Sequence, residues 1–391
     1  MYPSLMPQMP THNDTNFTNH GLFHGIGAVL SMVVAAGPPS VPGSVRLYAT
    51  HTYDQQCLDV VAVDPSTGHT DVFSTSSAYG AWGTVVGADG RVYIGTEPNA
   101  HIMRVDWEKH ALVDLGRPSS TEEYIWQLVM GTDEKIYGCT YPNAKLVRFD
   151  PKTGRGEDLG RMSSTQEYAR KIAADDNGTV FVGIGTETMD LVAFDIATGT
   201  HRSILPPKYV GQTGTFEVFR AADGSVYGHT GSDKTAWFKL HGTGASASPT
   251  GWPGQALPAC CQSSCTLAPN HVVSYDGRSI TVSNGSKAHP SMHRMRTNYS
   301  GRPMDIFRLG MGPDGKLYGS TAEPINFFRA SAVGSNWTNL HTAMESGEYY
   351  SFVAWKDKVI GAAYSADSPL SIYTPGAPWN PGENKSSTNS R

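Results

Sequence analysis

YIWQLVMGTDEKIYGCTYPNAKLVRFDPKTGRGEDLG, residues 124–160, is the stretch from which the rest of the chain can be read, because most other segments are variants of it. The copy before it is WGTVVGADGRVYIGTEPNAHIMRVDWEKHALVDLG from Trp82, and the copy after it is YARKIAADDNGTVFVGIGTETMDLVAFDIATG from Tyr168. Equivalent aromatics at Tyr93, Tyr137, Phe181 and Tyr227 follow one another at intervals of 44, 44 and 46 residues. Within a copy the apolar residues come in short runs of period two, each closed by turn chemistry, which is the pattern of strands. Leu128–Met130 lie in the first strand, Ile136–Cys139 form the second, Leu146–Phe149 the third, and Asp158-Leu159 mark the fourth. Four strands with a period in the forties predict a β-propeller blade, a unit that buries its apolar faces only against its neighbours.

Second strands are found at SVRLYAT, RVYIGT, KIYGCT, TVFVGI, SVYGHT, HVVSYD, KLYGST and KVIGAA, so an all-β propeller of about eight blades is expected, with seven as the alternative because the sixth unit is irregular. One domain is expected over residues 26–375, with residues 1–25 and 376–391 disordered. The apolar run 26–36, IGAVLSMVVAA, reads in two ways, as the apolar part of a secretory signal or as the inner strand of the first blade; it is too short to span a bilayer. GTGASASPTGWPGQALPACCQSS, from Gly242, reads as a long loop. The last unit has three strands, and residues 10–22 are the candidates for its fourth.

With 391 residues, 42 Gly, 25 Pro and a formal net charge of −5 without runs of Lys or Arg, the composition fits many short strands and excludes nucleic acid and anionic membranes as partners. Five Cys lack zinc-site spacing; Cys260, Cys261 and Cys265 cluster where a small disulfide can form, while Cys57 and Cys139 read as buried strand residues. Seven Asn-x-Ser/Thr acceptors, at Asn13, Asn16, Asn177, Asn284, Asn298, Asn336 and Asn384, favour a secreted chain over a cytoplasmic one.

Function is expected where the longer loops gather: SSTEEYIW, SSTQEYAR and SGEYYSF between blades, and TEPNAH, TYPNAK and HTGSDK between second and third strands. Arg170 heads an inner strand, where a charge needs an anionic partner, either a ligand or Glu167 or Glu217. Tyr124, Trp126, Trp82, Tyr349 and Tyr350 hold related places and either line the mouth or pack blades together. His51 follows the second strand of the first blade, His229 ends that of the fifth where sister strands carry small residues, and Tyr141, Asn143, Glu97 and Asn99 complete the rim. There is no G-x-S-x-G, no H-E-x-x-H and no P-loop, and no spacing selects a pair of carboxylates for glycoside hydrolysis.

The run YGCTYPNAKLVRFDPKTGRGEDLGR from Tyr137, with EYAR at 167–170, GPDGKLYGST from Gly312 and GEYYS from Gly347, resembles a group of large propeller proteins of bacteria and fungi over most of residues 80–375. Less directly, the chain is similar to the propeller polysaccharide lyases that cleave rhamnosyl-glucuronate ends of plant gums, through its architecture and the His, Tyr and Arg around the mouth. The resemblance implies the fold and an acidic saccharide as ligand; it assigns no residue a role. The chain stops after PWNPG, where such relatives are expected to run on.

The expected function is therefore a carbohydrate-active propeller that cleaves a uronate-containing glycan by β-elimination. Arg170 and His229 would neutralise the uronate carboxylate. Tyr141 or Tyr168 would move the proton if a nearby positive charge lowers the phenol's pKa. His51, Trp82, Glu97, Asn99, Tyr124, Trp126, Asn143 and Tyr350 would hold the sugar. The alternatives are a non-catalytic propeller that binds a glycan or protein through the same rim, and a metal-dependent lactonase-like hydrolase with Glu97, Asn143 and Asp190 as oxygen ligands. A monomer without cofactor, acting on an acidic oligo- or polysaccharide, is expected.

Overall fold

The computed structural model describes residues 23–53, 56–221, 223–248, 260–261, 264–268, 271–284, 291–321, 326–331, 337–342, 348–364 and 370–377. The stretch that opened the sequence reading is one antiparallel sheet, Tyr124–Met130, Ile136–Tyr141, Lys145–Asp150 and Arg155–Arg161, paired in chain order. Its first turn shows why the repeat reads as it does. Asp133 accepts the backbone N–H of Lys135 at 3.3 Å and the Tyr137 hydroxyl at 3.1 Å, so one carboxylate closes the turn and ties it to the second strand. Asp89 with Tyr93 and Asp314 with Tyr318 repeat the device at 2.9 and 3.0 Å. The turn needs a left-handed residue: Gly90 and Gly315 occupy the position with φ of 75° and 72°, and Glu134 holds it at 61°.

Eight such sheets follow one another, and they are the blades of a β-propeller. They fall in two compact units, Ile26–Arg302 and Pro303–Arg391 with the N-terminal residues to Gly25. In the larger unit the first sheet begins with Ala28–Ala36, so the run read in two ways is a blade strand. The second, third and fourth sheets begin at Gly80, Tyr124 and Ala169 and have four strands each. The fifth has its fourth strand at Gly244–Ala247, inside what reads as a loop. The sixth carries a short extra strand, Cys260–Cys261, paired with Ser264 and Cys265; Cys265 is disulfide-bonded, and Cys57 and Cys139 are free. Residues 249–259 lie outside the described residues.

Apolar residues on both faces of the second strands pack sheet on sheet. Tyr48, Leu58 and Phe73 of the first meet Ile94 and Met103 of the second, and Cys139 and Leu146 of the third meet Ile172 and Val182 of the fourth. The sixth sheet, through Val273, Tyr275 and Ile280, packs on Met32, Leu47 and Val61 of the first. Each fully buried Leu, Val or Phe contributes roughly 1.5–3 kcal/mol relative to exposure. Close approach fixes one glycine in particular: a Cβ at Gly183 would lie 1.9 Å from the Phe216 carbonyl oxygen of the next sheet.

The segment that leaves the sixth sheet is clamped to the first. Asn298 accepts from the N–H and hydroxyl of Thr70 at 2.8 and 2.9 Å, and Tyr299 donates to Asp59 at 2.7 Å. Arg302 makes a two-pronged contact to the same carboxylate at 2.9 and 2.8 Å. Those partners hold the Asp59 carboxyl below its usual range against the opposing effect of burial.

The smaller unit has two sheets, a four-stranded one from Ile306 to Thr342 and one with three described strands, Glu348–Trp355, Lys358–Tyr364 and Leu370–Tyr373, around Tyr318, Phe327, Leu340 and Val359. Phe23 belongs here, buried against Phe328 and Trp337, although the segment to residue 25 was expected to be disordered. Residues 1–22, with the proposed closing strand, and 378–391 lie outside the described residues. The described helix content is one 3-10 turn, Pro207–Tyr209, and no helix among the described residues is long and apolar enough to cross a membrane.

Candidate functional site

The same irregularity recurs at the head of successive first strands. Pairing slips by one residue between Ala81 and Gly83, between Ile125 and Gln127, and between Ala169 and Lys171. The extra residues are Trp82, Trp126 and Arg170. A bulged residue is left out of the ladder and its side chain is re-aimed, which is how three neighbouring blades turn one side chain each towards a common patch.

The patch is continuous. The rings of Trp82 and Trp126 lie edge-on with centroids 5.2 Å apart, and Tyr124 stacks on Trp126 at 5.3 Å. Tyr141 faces Tyr168 at 4.5 Å, and Tyr168 lies 6.0 Å from Trp126. The Arg170 guanidinium sits over the Trp126 ring, 5.4 Å from its centroid. Arg170 is exposed and has no ion-pair or hydrogen-bond partner among the described residues; Glu217, one of the partners expected for it, is bonded to Lys171 at 3.0 Å. Trp126 also carries a buried indole N–H that meets no acceptor among the described residues. Glu97 is buried beside Gly80 and accepts the Trp82 indole N–H at 3.0 Å.

This environment favours the neutral form of the Tyr124 and Tyr141 phenols. Burial, then the charge of Glu97 and the neighbouring hydroxyls, raises the pKa of Tyr124. Burial, then Tyr168 and Glu167, raises that of Tyr141. For Tyr141 this is the opposite of the lowering by positive charge on which proton abstraction depends: its neighbours are the Tyr124 and Tyr168 phenols and the Glu167 carboxylate.

Other expected residues lie elsewhere. His229 is buried in the fifth sheet, against Phe219 and Trp237, with Nδ1 2.7 Å from the Thr230 carbonyl oxygen, so it does not share a carboxylate site with Arg170. His51 has no exposed surface; it packs on Tyr275 and Tyr299, with Nδ1 3.2 Å from the Gly27 carbonyl oxygen, and cannot touch a ligand on the rim. Tyr350 is a bulged residue of the smaller unit, exposed, beside Phe307 and Arg308. Asn99 donates its backbone N–H to Glu123 at 3.2 Å. Asn143 is held by the buried Glu122, whose carboxylate takes its backbone N–H at 3.1 Å and its amide at 2.8 Å. Glu97, Asn143 and Asp190 belong to three separate hydrogen-bond groups, and no cluster of three or more His, Cys, Asp or Glu fit to hold a metal occurs among the described residues.

The residues that brace the loops were overlooked. In the repeated GRxSSTxEY segments, Arg117 donates to the Glu122 carbonyl at 2.7 Å and Arg161 to the Gln166 carbonyl at 2.9 Å. Glu122 and Gln166 then hold the neighbouring loop through the N–H groups of Asn143 and Thr188. The repetition of that segment is the signal that marks it.

No family model matches the sequence, and no curated protein does. Among solved structures, the chain is similar to virginiamycin B lyase from Staphylococcus aureus, with 12% identity and a TM-score of 0.39 over 73% of this chain and 92% of that one. A streptogramin B lyase structure shares 13% identity over 76% of this chain and 94% of the other, with a TM-score of 0.38. The extracellular domain assigned to the one component system BT4673 from B. thetaiotaomicron shares 11% over 91% of this chain and 59% of that one, at 0.37. Likeness at this level leaves the chemistry of the patch to be argued from its own residues.

Proposed function

We propose that the patch formed by Trp82, Trp126 and Arg170 binds an acidic saccharide. The observation that carries this is Arg170: a bulge aims it out of the ladder, it is exposed, and it has no anionic partner among the described residues. A guanidinium in that state offers two parallel donors to a carboxylate. Beside it, the faces and edges of two indoles and three phenols suit the C–H surfaces of a sugar ring, while the neutral phenols donate to its oxygens. Every residue of the patch comes from one chain, so a monomer suffices. The reading goes with a place outside the cell, where Asn177, exposed in its turn, could carry a glycan.

Binding without cleavage is the simpler form of this reading, since elimination needs a base as well as a clamp, and burial followed by Tyr168 and Glu167 raises the pKa of Tyr141. Titration with oligogalacturonate and with uronate-bearing gum fragments should show binding that Trp126→Ala abolishes and Arg170→Lys weakens about tenfold, a difference of about 1.4 kcal/mol. Ultraviolet absorbance followed in the same cuvette separates the two forms: a rise from a new double bond would establish the eliminative one. Equal binding by parent and Arg170→Lys would remove Arg170 from the site and the proposal with it.

A further inference from the structure

A cavity of about 190 Å³ opens among the loops of the fourth sheet, lined by Ser163, Thr165 and Gln166 from the loop before it, Thr188 and Met189 ahead of its third strand with Asp190 at that strand's head, Ser203 at the end of its fourth, and Leu205, Val210 and Gly211 beyond. We infer that this cavity is a second subsite of the same saccharide site and takes one uncharged sugar residue. The inference rests on the acidic-saccharide reading of the patch for its ligand, and on the cavity's own chemistry for the rest.

The polar groups on its wall are only half used. Asp190 spends Oδ1 on the Ser203 hydroxyl at 2.5 Å and the Leu191 N–H at 2.7 Å, and its Oδ2 has no donor among the described residues. Gln166 gives its side-chain oxygen to the Thr188 N–H at 3.0 Å, and its amide nitrogen has no acceptor among the described residues. The hydroxyls of Thr165 and Thr188 also make no bond among the described residues. An acceptor carboxylate, an amide donor and hydroxyls that do either, set against the apolar Met189, Leu205 and Val210, form the combination that a ring with adjacent hydroxyls requires. The volume, below that of drug-sized pockets, fits a single ring.

Charge selects which ring. Asp190 lines the cavity, and Glu167 and Glu187 stand exposed on the adjoining loops; Lys208, on the loop after the fourth strand, lies over the Tyr209 and Phe238 rings and is not part of the wall, so a uronate would meet carboxylates here. The acidic residue belongs at Arg170 and the neutral one at Asp190. The two places are mechanically joined, since Gln166 lies two residues before Tyr168, whose carbonyl accepts the Gly185 N–H at 3.2 Å. The ligand class is therefore a mixed saccharide, a uronate flanked or branched by a neutral residue.

The test uses methyl glucopyranoside, methyl galactopyranoside and methyl mannopyranoside as neutral probes and trigalacturonate as the acidic one, with binding followed by ligand-observed NMR on the full chain. Val210→Trp fills the mouth of the cavity from an exposed position and spares the fold; Asp190→Ala removes the acceptor. At least one neutral glycoside should bind the parent, and both variants should weaken it tenfold or more while trigalacturonate binding is unchanged. If no neutral glycoside binds, or Val210→Trp binds it as the parent does, the inference falls. Arg170→Lys separates the two readings: trigalacturonate binding weakened about tenfold with the glycoside untouched supports both, whereas Val210→Trp losing the glycoside and Arg170→Lys losing nothing overturns the patch and keeps the cavity.

Discussion

His51 makes the larger unit acid-sensitive in a window set by one buried ring. It lies on the second strand of the first sheet with no exposed surface, donating from Nδ1 to the Gly27 carbonyl, while its Nε2 is buried without a partner among the described residues. Asp59 sits opposite it across the strand pair, but that carboxylate is already taken by Ser74, Tyr299 and Arg302. A proton on Nε2 would create a charged donor with nothing to receive it, so burial lowers the pKa from 6.5 to about 4. Between those two values the unfolded chain binds a proton that the folded chain does not. Stability therefore rises with pH there, and is lost as pH falls through the unfolded value towards the folded one. At about 1.4 kcal/mol per pKa unit the whole interval amounts to about 3 kcal/mol. Urea unfolding at constant ionic strength, from about pH 7.5 down to about pH 4.5, should show that decline in the parent. His51→Phe keeps a ring between Tyr275 and Tyr299 and removes the titration, and the difference between parent and variant cancels every other histidine. If the two profiles run parallel across the window, His51 is not the group responsible and the burial argument fails.

Two further outcomes test the frame that carries the site. Asp59→Ala should cost about 3 kcal/mol in the same unfolding assay, at the low end for a broken buried ion pair because Arg302 keeps 39% of its side chain exposed; a double-mutant cycle with Arg302→Met should recover much of that loss, and full additivity would deny the pairing. Glu134→Gly should stabilise by about 1 kcal/mol, since Glu134 holds the left-handed turn position that glycines fill in sister blades; an unchanged melting temperature would mean that its ion pair with Lys152 offsets the strain.

The fold was legible because several blades solve the same problem with the same residues. Asp89, Asp133 and Asp314 close a turn and hold the tyrosine four residues on, so turn and strand signals are locked in phase along the chain. Where that coupling lapses the reading lapsed with it. The strand Gly244–Ala247 carries no large apolar side chain, contributing only Ala245 to the core of its sheet, and small residues beside Gly and Ser look like loop. Phe23 shows the converse: an isolated aromatic in a polar segment has no period, yet it is buried against Phe328 and Trp337 by contacts hundreds of residues away in sequence.

The site was legible in its residue types and not in its geometry. A histidine at a position where sister strands carry small residues signals a local departure from the repeat, but that departure can be absorbed by the core as readily as turned to a ligand. His51 and His229 were both absorbed, each between aromatic rings. Trp82, Trp126 and Arg170 share a position in the repeat that the sequence does expose, whereas the bulge that re-aims them leaves strand length and alternation almost unchanged. The step from Trp to Trp to Arg across three blades is thus a change in what one position presents, made without any change in what it asks of the fold. Because a bulged residue is outside the ladder, its identity is uncoupled from sheet stability, and that uncoupling lets Arg170 remain unpaired over Trp126 when a regular strand position would have required a neutralising partner.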